Sequence, residues 1–158
     1  MSTLARILAS TALLALVASP VVAQDFSLAP NYGTIELTAG FEPDPHVVDV
    51  SSGGTIDAET RDPSCKGFIT EAPDLRVNYT AGTGLPLIIS VHSAADTTLV
   101  VNGPDASWVC DDDGGVLGLN PSVVFTEPAS GQYDIWVGTY GSATIEPSRL
   151  ALSELYSQ

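Results

Sequence analysis

Three consecutive carboxylates, Asp111, Asp112 and Asp113, run directly into Gly114-Gly115. They are the residues of this chain most suited to chemistry. Two carboxylates about 5 Å apart repel by roughly 3 kcal/mol at an effective dielectric near 20. Such a run needs full hydration or a cation. Asp105 and Asp96 lie upstream and Asn120 downstream, so five carboxylates and the Asn120 amide fall within one stretch. Calcium is the cation suited to such a set, because it accepts carboxylate, amide and carbonyl oxygens in flexible geometry. The spacing is not that of an EF-hand, since Gly115 stands where a third alternating ligand belongs. A hydrated acidic turn explains the same residues without a metal, and composition alone leaves both readings open.

Catalytic groups are scarce. The histidines are His46 and His92, and no G-x-S-x-G nucleophile setting occurs. A serine-type triad needs Ser, His and acid converging on an oxyanion hole. Ser130-Gly131 is explained by a hairpin turn. The expectation is a protein that is not an enzyme. Trp136 and Tyr140 alternate with Tyr133, Ile135 and Val137, which puts them on the opposite side of one strand. They are a candidate ligand face for a sugar or peptide, against the alternative that Trp136 packs under a loop. Trp108, two residues before Cys110, is expected to pack against a disulfide.

The compartment follows from the first residues. Arg6, the apolar run Ile7 to Val17 and the small-residue site Val21-Val22-Ala23 have the layout of a secretory signal peptide over residues 1–23. The apolar run is short of the ~20 residues that span a bilayer. A periplasmic or extracellular protein is expected, with no membrane insertion after cleavage. In that compartment the two cysteines, Cys65 and Cys110, are expected to form one disulfide. All 19 acidic residues follow the leader, against only Arg61, Lys66, Arg76 and Arg149, and the whole chain carries a net −14. That balance repels nucleic-acid phosphates and anionic lipid. A protein or a glycan is left as the partner class.

The elements that must position these groups read as strands. Leu75, Val77 and Tyr79 alternate with polar neighbours, as do Leu87, Ile89 and Val91, then Leu99 and Val101, Val123 and Phe125, and Tyr133, Ile135 and Val137. Ile35 and Leu37 open the pattern, His46 to Ser52 adds a strand, and Leu150 and Leu152 close it. Gly53-Gly54, Gly82-Thr83-Gly84, Asn102-Gly103-Pro104-Asp105, Gly114-Gly115 and Ser130-Gly131 punctuate it. Short alternating runs between such turns predict an all-β, antiparallel sandwich of one domain. Residues 24–33 lack alternation and are expected to be an extended lead-in to residues 34–158.

Asp96-Thr97-Thr98-Leu99, the Cys110-Asp111-Asp112-Asp113 loop and Ser130-Gly131-Gln132-Tyr133-Asp134-Ile135-Trp136-Val137 together resemble the bacterial pre-peptidase C-terminal (PPC) domain. The resemblance spans roughly residues 33–154. It implies a jelly-roll β-sandwich, a non-catalytic accessory role and calcium in the loops. The acidic loop is the expected calcium site, with Asp111, Asp112, Asp113 and Asn120 as the preferred ligands and Asp96 and Asp105 as additions.

Overall fold

The structure, a computed structural model, describes residues 28–158; the leader expected over residues 1–23 lies outside them. Eleven strands follow in order: β1 (Thr34–Thr38), β2 (His46–Ser52), β3 (Ile56–Asp57), β4 (Phe68–Ile69), β5 (Leu75–Thr80), β6 (Leu87–Ser93), β7 (Thr97–Asn102), β8 (Trp108–Asp111), β9 (Ser122–Phe125), β10 (Gly131–Thr139) and β11 (Glu146–Ser153). A 3₁₀ turn, Ala58–Thr60, sits between β3 and β4. None of the described helices is long and apolar enough to cross a membrane.

The strands form two sheets. In the larger, β10 is central: β5 pairs with its first half, β4 with Thr139 at its end, and β7 along its other side. β8 extends this sheet beyond β7, and β1 and β3 lie outside β5 and β4. The smaller sheet has the order β2-β11-β6-β9. The expected β-sandwich is observed, with one local departure from antiparallel pairing: β1 runs parallel to β5, with Ile35 opposite Val77. The segment before β1 is not simply extended. Asn31 and Tyr32 donate their backbone N–H groups to the carbonyls of Pro73 and Asp74, both at 2.8 Å. That turn feeds β1 onto the sheet edge in the parallel sense.

The alternating apolar residues meet between the sheets. Leu75, Val77 and Tyr79 of β5, Leu99 and Val101 of β7, and Tyr133, Ile135 and Val137 of β10 face Leu87, Ile89 and Val91 of β6 and Leu150 and Leu152 of β11. This is the two-residue period of a pleated strand turned into a core. Tyr133 meets Tyr79 and Phe125 edge-on, at ring separations of 6.3 and 5.2 Å.

A second, smaller cluster forms on the outer side of the large sheet. Val100 of β7 and Trp136 of β10 point away from the main core, and the excursion through β3, the 3₁₀ turn and β4 covers them with Ala58, Ile69 and Cys65. Cys65 and Cys110 form the expected disulfide, with Cα atoms 5.1 Å apart, stapling the excursion to β8. Gly53-Gly54 lets the chain enter it. Gly53 has φ +100°, and a Cβ on Gly54 would stand 2.1 Å from the Ile69 carbonyl, so neither position takes a side chain.

The candidate ligand face is corrected by this cluster. Trp136 is fully buried, with the Trp108 ring 5.5 Å away, so it offers no surface to a sugar or peptide. Trp108 packs in this cluster beside Cys110. Tyr140 lies one residue past the end of β10 and remains half exposed.

Candidate functional site

The connection between β8 and β9, residues 112–121, lies at one end of the sandwich beside the turn after β10. Its base is pinned. Asp111 Oδ2 accepts the N–H groups of Gly114 at 2.7 Å and Ser122 at 2.8 Å. Asn120 is buried, and its Oδ1 accepts from Ser93 N at 2.8 Å and Thr97 Oγ1 at 3.0 Å. Its Nδ2 donates to the carbonyls of Ser93 and Leu117. The Gly115 N–H closes the loop on the Asn120 carbonyl at 2.8 Å, where a Cβ on Gly115 would stand only 2.5 Å from that oxygen. Asp111 and Asn120 therefore act as staples, consistent with the Asp and Asn habit of bonding nearby backbone.

The tip of the loop is apolar and open to solvent: Val116 is 68% exposed, Leu117 46% and Leu119 56%. Beside it, Asp96, Asp112, Asp113, Leu119 and Tyr140 line a cleft of about 180 Å³. The Tyr140 N–H donates to the Asp96 carbonyl at 3.0 Å, which sets the ring next to this cleft. Partial burial, then the charges of Asp113 and Asp112, raise the Asp96 carboxyl above its ordinary pKa. No ion pair among the described residues involves these three carboxylates.

On the other side of Tyr140, a second cleft of about 220 Å³ is lined by Asp57, Glu59, Lys66 and Phe68 among others. Lys66 donates to Glu59 there, and that hydrogen bond and the Glu59 charge raise its pKa. Asp57 Oδ1 caps the 3₁₀ turn by accepting from Glu59 N at 3.0 Å.

The six residues expected as calcium ligands thus divide three ways. Asp96, Asp112 and Asp113 share one cleft, whereas Asp111 and Asn120 hold the loop base. Asp105 lies at the opposite end, in the β7–β8 turn, where its Oδ1 accepts from Ser107 N and Oγ; those bonds hold its carboxyl below the ordinary range. The reason is the antiparallel hairpin: residues on either side of its turn and residues at its open end are a strand length apart. Among the described residues, no three His, Cys, Asp or Glu side chains stand close enough to hold one metal ion. Sequence reasoning missed the apolar tip Val116-Leu117-Gly118-Leu119, which breaks no strand period and lies between two turn signals. It also missed Asp74, a buried carboxyl that burial raises to about 6, although Val137 N donates to it at 2.8 Å and Asn31 Nδ2 at 3.0 Å. His46 opens β2, His92 faces solvent on β6, and Ser130 Oγ accepts from Ala81 N at the far end.

No family model matches the chain, and no curated protein does. Among solved structures, it is similar to PliG from Aeromonas hydrophila, a periplasmic lysozyme inhibitor of g-type lysozyme. The identity is 15%, the match covers 76% of this chain and 96% of that one, and the TM-score is 0.45. A likeness of that size carries no argument about function.

Proposed function

We propose that this chain is an exported, non-catalytic binding module that engages a protein partner through the end of the sandwich carrying residues 112–121. One observation carries the reading: three apolar side chains stand exposed on a loop whose base is held by Asp111 and Asn120. Exposed apolar clusters rimmed by polar groups mark interaction sites, and a pinned base lowers the ordering cost of binding. The accessory role implied by the pre-peptidase C-terminal resemblance agrees with it, and the leader expected over residues 1–23 supports a periplasmic or extracellular location. A glycan partner is less favoured, because Trp136 is buried and leaves Tyr140 without a flat companion.

A photo-crosslinking residue at Val116 tests this reading in the producing cell. It is expected to give a discrete protein adduct, and the same residue at Leu155, equally exposed at the opposite end, none. Absence of an adduct from Val116, or equal adducts from both positions, removes the reading.

Calcium, implied by the resemblance, is the weaker second reading: Asp96, Asp112 and Asp113 share one cleft, but among the described residues no three His, Cys, Asp or Glu side chains stand close enough to hold one metal ion. A bound cation stabilises the folded state by mass action, so the melting temperature should rise with calcium and fall with chelator. An unchanged melting temperature in both conditions removes calcium and leaves the protein-binding reading intact.

A further inference from the structure

Tyr140 is a half-exposed ring standing between two clefts, with Asp96, Asp112 and Asp113 on one side and Asp57, Glu59 and the Glu59-paired Lys66 on the other. The uncompensated negative side is therefore that of Asp96, Asp112 and Asp113. Only Glu59 of these five carboxylates takes part in an ion pair among the described residues. A ring face flanked by carboxylates attracts a cation twice, through its quadrupole and through the adjacent charges. Leu119 of the exposed tip lines the cleft of Asp96, Asp112 and Asp113, and Val116 and Leu117 stand exposed in the same loop.

Building on the protein-binding reading above, we propose that this face receives a basic segment of a partner protein. An Arg or Lys of the partner lies over Tyr140 and against Asp96, Asp112 and Asp113, and its apolar neighbour covers Leu117 and Leu119. The neighbouring apolar tip distinguishes this occupant from a bare cation, which would leave those side chains in water. Nucleic acid and anionic lipid are repelled by the chain's net −14. A second copy of the chain carries the same negative field and, after the leader, sets only Arg61, Lys66, Arg76 and Arg149 against 19 acidic residues.

The test uses fluorescence anisotropy of the exported protein with three labelled peptides, alternating Arg and Leu, Arg and Gly, or Glu and Leu. The Arg–Leu peptide is expected to bind about tenfold tighter than Arg–Gly, a modest hydrophobic increment, and the Glu–Leu peptide not at all. Leu117→Ser with Leu119→Ser should abolish the Arg–Leu advantage. Asp112→Asn with Asp113→Asn should weaken both Arg peptides, while Asp105→Asn, one charge removed at the far end, leaves them unchanged. Failure of Arg–Leu to bind overturns the proposal, as does an equal loss in Asp105→Asn or no loss in either double variant. A Val116 adduct formed in the cell alongside such a failure would mean that the docking end is right and the basic partner wrong.

Discussion

At the end of the sandwich away from residues 112–121, the carboxylate of Glu154 is buried and both its oxygens are engaged. Tyr79 Oη donates to Oε1 and Gly40 N to Oε2, each at 2.7 Å, while the Glu154 N–H donates to Asp44 Oδ2 at 3.0 Å. There Asp105 and Ser130 likewise accept bonds from neighbouring backbone. At the other end, Asp112 and Asp113 face a cleft beside exposed leucines. Carboxylates that bond to their own chain hold the fold together, and carboxylates left facing open space are available to something else. The contrast teaches that acid content alone does not mark a site. What separates Glu154 from Asp112 and Asp113 is whether the protein's own donors reach the oxygens.

The largest blow to this contrast should come from the disulfide, which anchors β8 and hence the loop. Replacing Cys65 and Cys110 by Ala frees a loop with a sequence separation of 45, worth about 4 kcal/mol in the chain-entropy account. A urea titration should show that loss. Hydrogen exchange should rise first in the β3–β4 excursion and residues 112–121. Equal loosening around Glu154 would break the distinction between the ends.

Next in size is the pH dependence of Asp74. Its carboxyl titrates at about 6 in the folded chain and near about 4 in the unfolded one. Between those values the folded state keeps a proton that the unfolded state has lost. This contribution is therefore fully present below about pH 4 and is lost as pH rises through about 6, on the order of 3 kcal/mol. Asp74→Asn should remove that fall from the stability profile measured between these limits. Parallel profiles for the two proteins would refute the assignment.

Glu154→Ala should follow, at about 2 kcal/mol, because it leaves the Tyr79 hydroxyl and the Gly40 N–H without their acceptor. Asp112→Ala with Asp113→Ala should stay within about half a kcal/mol, as surface changes do. Equal denaturation midpoints for these two variants would erase the contrast between tied and free carboxylates.

The smallest effect sharpens the contrast within one end. In an NMR titration, Asp112→Asn with Asp113→Asn should lower the Asp96 midpoint without restoring its ordinary value, since burial is the larger cause. Asp105→Asn should leave it unmoved.

Much of the fold was legible in advance. The strands through Leu75–Tyr79, Leu87–Val91 and Tyr133–Val137 read true because a side chain in a pleated strand repeats every two residues. His46–Ser52 emerged with the bounds expected for it, and Cys65 and Cys110 paired. The site was less legible. Asp111, Asp112 and Asp113 look equivalent in the sequence, yet Asp111 is bonded to Gly114 and Ser122 while its two neighbours line the cleft. Trp136 alternates as an outward-facing residue should, and no local pattern shows that a segment some seventy residues earlier folds over it.

Local sequence determined which residues are strands, which side of each strand is apolar and how acidic the surface must be, because these follow from period, side-chain chemistry and charge. Only the tertiary structure decided which acids are staples, which ring is covered and which leucines are left exposed. Those outcomes depend on contacts between distant segments, where a hydrogen-bond donor or a covering strand arrives from elsewhere in the chain.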